Sequence, residues 1–338
     1  MNSTRVTITD LARSLDLSLC TVSKILNRSF DGFTYSKETI ARVNEGAKKM
    51  GYRPNRHAQS LRTRKSKLVG LLLPSAQVTF FGAMTDHLEL ELRNQGYQVL
   101  IVHSRNDARI ETELIPALLD RGIDGLVWIP SFSHVELGVE VLKSGFPVVI
   151  LDRPGCTDKM PFVATDNRTA ARDLARRIHA TGHRTIGILN APVNDRSMQE
   201  RFQGICDVFT ESVQLIDLPN DATEARLAVG RFAGGGARPT AIVALSETLA
   251  IGAIAGLRDL GLRMPTDVSF AAFDDFLLAS HWTPRITTVR QDVAGLAQAA
   301  VNLLLRRMKS PRNRQEDIRV PAILEWRESI AEVSLPSR

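Results

Sequence analysis

At 338 residues and 43% hydrophobic composition, the chain can bury the cores of two or three globular units, which excludes a disordered tail or a single small domain. Its net charge of +6 is unevenly spread: residues 1–67 carry 14 Lys/Arg against 5 Asp/Glu, while residues 68–338 carry 29 against 32. The three scattered cysteines (Cys20, Cys156, Cys206), the absence of a membrane-length apolar run and the lack of an apolar h-region in Met1 to Thr9 argue against a disulfide framework, a zinc site, a membrane span and secretion, so a cytoplasmic protein with free thiols is expected.

The basic end reads as helices. Thr7 is an N-cap with Asp10 three residues on, a short-armed capping box, and Ile8, Leu11, Ala12 and Leu15 then share one face. A second cap at Ser18, stapled by Leu17 and Val22, opens another helix with Val22, Ile25 and Leu26 as its buried stripe. So short a connection forces the two helices to cross steeply. Leu19, Cys20, Ser23, Lys24 and Asn27 are left on the outer face of the second, where a major groove would meet them. The third helix is capped by Ser36, stapled by Tyr35 and Ile40, runs through Val43 and Ala47, and stops at Gly51, which suits a left-handed cap. A helical subdomain that binds nothing would show the same periodicity.

The next segment shifts the balance. Asn55 to Arg62 is too short to hold a helix alone, since isolated helices need roughly 12–15 residues. Ala58 and Leu61 would share one face of such a turn, with Arg56, Arg62, Arg64, Lys65 and Lys67 available for phosphates. A leucine wedged between base steps opens and bends a duplex from its minor groove. Ordinary interdomain packing is the plainer role for Leu61.

From Leu68 onward, short apolar runs alternate with helical segments, the signature of a parallel sheet wound on both faces. Residues 68–73, 99–102, 125–129 and 148–151 form a first set of strands, and 185–189, 213–218, 241–245 and 268–273 a second, with a last strand near Val320 to Trp326. Two winding units imply two lobes and a cleft. Ligands in such sheets collect beyond the carboxyl ends of strands, where this chain places Asp152-Arg153, Ser246-Glu247, Asp274-Asp275 and the segment Asp195-Arg196-Ser197 leading to Arg201. Carboxylates and a guanidinium converging there suit a polyhydroxylated ligand, because each can bridge neighbouring hydroxyls. Taken singly, an Asp or Ser at a strand end is as readily a helix cap.

These stretches resemble a known family. Thr7 to Ala12, Leu17 to Asn27 and Gly51-Tyr52-Arg53-Pro54-Asn55-Arg56-His57-Ala58-Gln59-Ser60-Leu61 are similar to the headpiece and hinge of the lactose/galactose repressor (LacI/GalR) family. The resemblance continues through Phe80-Phe81, Ala164 to Asn167, Gly182-His183-Arg184, Arg201 to Gly204, Gly261 to Ser269 and Thr287 to Asp292, which look like the family's effector domain. It implies an all-α helix-turn-helix headpiece over residues 1–54, a hinge helix and linker over 55–67, and over 68–338 an α/β, two-lobed, periplasmic-binding-protein-like domain of two parallel doubly wound sheets that also dimerises. Leu19, Cys20 and Lys24 would then read bases. Thr7, Thr21, Ser23, Asn27, Ser36, Thr39 and Asn55 would contact phosphates, and Ala58 and Leu61 would enter the minor groove. Effector contacts fall on Phe81, Asp152, Ser197, Arg201, Ser246, Asp274 and Gln291. The chain departs from the family at Asp16, where a turn glycine is usual, in a longer loop from Arg28 to Thr34, and at Ser246-Glu247, where Asn-Asp is usual.

The expectation is a ligand-responsive transcriptional regulator, a repressor, binding palindromic operator DNA as a homodimer, with a sugar, sugar acid or related metabolite as effector. No cofactor, metal or membrane partner is expected. The helix from Phe81 to Gly96 could supply part of the dimer surface, although core packing suits most of its apolar positions better, Leu88 and Leu92 among them. The tail is too short for a tetramer coil. An α/β enzyme is the rival, but no G-x-G-x-x-G follows the first strand, and there is no Walker loop or nucleophile elbow. A transport binding protein is a third reading, which the basic headpiece disfavours.

Overall fold

The computed structural model describes residues 6–27, 34–52, 65–76, 78–131, 140–141, 143–154, 160–191, 196–210, 212–233, 238–310 and 316–333. The chain divides into two compact units, Met1–Ser66 and Lys67–Arg338.

The first unit holds α1 (Ile8–Ser14), α2 (Leu19–Leu26) and α3 (Lys37–Lys49). Each begins at the expected cap. Thr7 accepts from the Asp10 N–H while the Asp10 carboxylate accepts from the Thr7 N–H, and Ser18 and Ser36 accept from Thr21 and Thr39. Asp16 takes φ 50° between α1 and α2, a left-handed turn that Asp tolerates better than most residues. Gly51 ends α3 at φ 64°. Leu11, Ala12, Val22, Ile25, Val43 and Ala47 make the core. Each fully buried aliphatic side chain there contributes about 1.5–3 kcal/mol, and a core this small leaves little to spare.

The second unit contains two six-stranded sheets. The first lobe is built from β1 (Leu68–Leu73), α4 (Thr79–Asn94), β2 (Gln98–His103), α5 (Ala108–Asp120), β3 (Gly125–Trp128), β4 (Val148–Leu151) and β5 (Phe162–Thr165). The second lobe follows with α6 (Asn167–Ala180), β6 (Ile186–Asn190), α7 (Arg196–Cys206), β7 (Val213–Asp217), α8 (Ala222–Ala228), β8 (Ala241–Ala244), α9 (Glu247–Asp259), β9 (Ser269–Phe273) and β10 (Thr287–Arg290). Helix α10 (Val293–Lys309) and β11 (Asp317–Val320) return to the first lobe, and β12 (Ile323–Glu325) rejoins the second. Strand orders are β11-β5-β4-β3-β1-β2 and β12-β10-β9-β8-β6-β7.

Helices cover both faces of each sheet. In the first lobe α4 and α10 bury Met84, Leu88, Leu92, Leu296, Val301 and Leu304 on one face, while α5 sets Ile115 and Leu118 against Leu72, Leu126 and Trp128 on the other. Leu88 and Leu92 are therefore core residues. In the second lobe α8 and α9 cover one face and α6 and α7 the other. Helices α8 and α9 approach so closely that a Cβ on Gly252 would lie 2.2 Å from the Ala222 carbonyl oxygen.

The observed sheets are larger than the apolar runs indicate. β5 and β10 are buried central strands, yet β10 opens with Thr287 and Thr288, both fully buried, so it lacks an apolar run. The expected last strand is two strands in different sheets. Pro321, which has no N–H to give a ladder, separates β11 from β12. β12 pairs antiparallel with β10, so the second sheet is mostly rather than wholly parallel.

Candidate functional site

Two surfaces carry the candidate functional side chains, one in each unit. On the first unit, α2 leaves Cys20 exposed and Leu19 at 49% exposure, with Lys24, Ser23, Thr21 and Asn27 half-buried beside them. A 49% exposed leucine at the start of a capped helix is available for apolar contact. Several expected phosphate contacts also do structural work. Thr21 and Thr39 each lie 2.8 Å, hydroxyl to hydroxyl, from the cap serine of their helix, and Asn27 Nδ2 donates to the Ser23 carbonyl at 2.8 Å. Thr7 and Ser36 are exposed caps. Asn55, Ala58 and Leu61 lie outside the described residues, as does Arg28 to Phe33 of the long loop.

The second surface is the cleft between the lobes. Asp152 and Asp274 follow β4 and β9 at φ 67° and 69°, and Arg105 and Asn106 follow β2 at φ 55° and 58°. Left-handed backbone at non-glycine residues costs about 1–3 kcal/mol each and gathers where function demands it. Arg201, on α7, is 4% exposed. Its Nε donates to Asn167 Oδ1 and its Nη1 to the Leu245 carbonyl, both at 2.8 Å, and Nη1 lies 3.6 Å from Asp274 Oδ2. The guanidinium also stacks 4.6 Å from the Phe273 ring centroid. Gln291 donates to Asp274 Oδ1 at 2.6 Å and accepts from the Thr165 hydroxyl. A continuous polar chain thus runs Asn167–Arg201–Asp274–Gln291–Thr165, through the β5–α6 and β10–α10 crossovers that join the lobes.

The first lobe contributes a second cluster. Arg153 sits 4.0 Å from the Asp152 carboxylate, donates to Asn106 Oδ1 at 2.8 Å and lies over the Phe81 ring. Ser197, from α7, donates to the Asp152 carbonyl at 2.7 Å across the cleft. Between α4, α9 and the strand ends lies a half-open cavity of about 280 Å³ bordered by Thr79, Phe80, Glu247, Asp274, Gln291 and Val293.

Most of the expected effector residues therefore meet in one cleft. Ser246 is more committed than the sequence indicates: it caps α9 through the Leu249 N–H and donates to Asn220 Oδ1 at 2.7 Å. Asp275 serves structure. Burial opposes its ionisation, but two hydrogen bonds from Arg327 and one from Thr288 hold its carboxyl below the ordinary value. Arg153 was visible only as a polar neighbour of Asp152, and Asn106 gave no signal, since 47 residues separate it from the guanidinium it holds. Among the described residues, no group of three or more His, Cys, Asp or Glu is placed to hold a metal ion.

The chain is similar to several known proteins. The model of a periplasmic binding protein-like domain matches residues 175–330. The ribose operon repressor of Haemophilus influenzae is 28% identical over 331 residues, 96% of this chain and 98% of the relative. The transcriptional repressor PurR of Edwardsiella ictaluri is 28% identical over 335 residues, 96% and 97% of the two chains. A LacI family transcriptional regulator from Enterococcus faecalis, solved with bound ribose, superposes with a TM-score of 0.72 at 26% identity, covering 79% of this chain and all of that one. The chain thus resembles LacI/GalR-type repressors across 96% of its length. The lac repressor dimer bound to operator shares the fold of this chain at a TM-score of 0.84 and 23% identity, over 97% of this chain and all of that one. The named relatives are transcriptional repressors. Arg201, Ser246, Asp274 and Gln291 fall inside the matched domain, and the full-length relatives extend the match over Asp152 and the headpiece.

Proposed function

We propose that the protein is a cytoplasmic, ligand-responsive transcriptional repressor that grips palindromic operator DNA as a homodimer. Residues 1–54 act as the headpiece, 55–67 as the hinge and 68–338 as the effector and dimerisation domain. Leu19, Cys20 and Lys24 face bases in the major groove. Cys20 and Leu19 offer only apolar contact, as with a thymine methyl, and Lys24 donates to guanine. Thr7, Thr21, Ser23, Asn27, Ser36, Thr39 and Asn55 contact phosphates, and Ala58 and Leu61 fold into the minor groove when the hinge is ordered by DNA. Among the described residues, no helix is long and apolar enough to cross a membrane.

The observation that carries the effector reading is the buried Arg201–Asp274–Gln291 chain. A carboxylate and a carboxamide opening onto one cavity, with a guanidinium holding the carboxylate from behind, match the donors and acceptors of a polyol or sugar. Relatives named for ribose support that class. Because Thr165 ends β5 and Gln291 follows β10, at two of the crossovers between lobes, a ligand engaging Asp274 acts directly on the crossovers. It changes lobe geometry by favouring one of two arrangements, and with it the spacing of the paired hinges. A thermal-shift screen of pentoses, hexoses, sugar acids and disaccharides tests this reading. One class should raise the melting temperature of the parent protein and leave Arg201→Ala unmoved; a panel with no stabilising member would overturn the sugar assignment.

A further inference from the structure

Helix α4 begins without a cap of its own. Its N-cap residue is Val78, whose side chain makes no capping hydrogen bond, although the first turn of any helix presents N–H groups that its own backbone cannot satisfy. The missing acceptor comes from the other lobe. Thr79 Oγ1 donates to Glu247 Oε1 at 2.7 Å, across 168 residues of chain, and the same carboxylate lies near the Thr79 and Phe80 N–H groups. Glu247 is itself the first residue of α9, so the positive ends of two helices, one from each lobe, converge on a single acidic side chain. It is 8% exposed.

We propose that Glu247 is a positioning residue for effector binding: its carboxylate caps α4 from the opposite lobe, and the strength of that bridge sets how far the cleft stays closed. The inference rests on reading this cleft as the effector site. The cavity borders the bridge residues Thr79 and Glu247 on one side and Asp274 and Gln291 on the other. Burial raises the Glu247 carboxyl above its ordinary value, the hydrogen bond from Thr79 opposes this, and the nearby Asp274 charge adds to the rise. A polyol donating hydroxyls toward Asp274 screens that repulsion, strengthens the charged cap and so favours the closed arrangement. Occupancy and closure are thereby coupled through Asp274, which shares the cavity border with Glu247.

The test measures lobe separation in the full chain, in the absence of ligand and DNA. Nitroxides are attached at Arg121→Cys and Leu260→Cys, at exposed positions in the two lobes, on a background with the native cysteines replaced. Labelled protein is diluted into an excess of unlabelled protein, and electron–electron distances are recorded. Glu247→Ala and Thr79→Val should each move the open-to-closed ratio about tenfold toward open, as expected for loss of one hydrogen bond to a charged group. The double variant should open no further than either single one, since both remove the same bridge. Glu247→Gln should restore most of the closed population, because its amide oxygen still accepts from the Thr79 hydroxyl. Unchanged distances in both single variants, or additive effects in the double, would overturn the proposal. Such a result would leave the effector reading standing, whereas failure of every sugar to bind would sink that reading and leave the distance shifts untouched.

Discussion

Asp274 and Arg201 form the pair on which the proposed ligand response turns. The aspartate accepts strained left-handed backbone at φ 69° and the arginine sits at 4% exposure, costs that a cleft without function has no reason to carry. Arg201→Ala and Asp274→Ala should abolish release or tightening of operator by the effector, while operator affinity without effector stays within about threefold of the parent, because the headpiece is untouched. Fluorescence titration of labelled operator with and without effector checks this; two variants that respond normally would remove both residues from the site. His183 gives a different expectation. It is buried, its Nδ1 lies 2.7 Å from Thr240 Oγ1 and its Nε2 lies 3.2 Å from the Ala331 carbonyl oxygen, and desolvation lowers its pKa from the ordinary 6.5. Below 6.5 the unfolded chain takes up a proton that the folded chain resists, so this residue's contribution to stability falls as pH drops through that value. Thermal melts should show a loss below pH 6.5 that is smaller in His183→Gln. The strand-end carboxylates were legible in the sequence because each directly follows an apolar run. The partners that orient them, Asn106 for Arg153 and Asn167 for Arg201, were not, since only the folded chain brings them together.

Helix starts were the most legible elements. Thr7, Ser18 and Ser36 each hydrogen-bond the expected backbone N–H, since capping is a local interaction that needs no tertiary context. Thr7→Ala removes the side-chain half of the capping box and should cost the headpiece about 1 kcal/mol, seen as a lower melting temperature for that unit with the second unit unchanged. Strands were less legible wherever their burial depends on neighbours. β10 reads as polar because Thr287 and Thr288 fill interior positions, where Thr288 donates to Asp275 at 2.8 Å and Thr287 pairs with the chain near Arg327. β11 and β12 merge in the sequence into one apolar stretch, and only their assignment to separate sheets shows that the chain crosses between lobes there. The hinge stands apart, because residues 53–64 lie outside the described ones and its helix is part of the proposed reading. Leu61→Ala should weaken specific operator binding by at least tenfold more than binding to random duplex, because the wedge holds a bent site. Competition binding against both duplexes measures the difference, and equal losses would count against the hinge reading.

The charge distribution, the two compact units and the full-length match to repressors all bear on one claim, that a basic headpiece binds a symmetric duplex under control of a sugar-sized ligand. The net +9 on residues 1–67 against −3 on the remainder localises the polyanion partner to one end and implies steep salt dependence, since each phosphate neutralised releases condensed counterion. Operator affinity should fall about 10³-fold or more between 50 and 200 mM salt if at least six phosphates are contacted. The direct test is selection of bound sequences from random DNA, followed by competition of the selected duplex against a scrambled version. The account predicts a pseudo-palindrome bound at least about 10³-fold more tightly than the scramble at physiological salt. Enrichment of no symmetric sequence, with equal affinity for both duplexes, would contradict it.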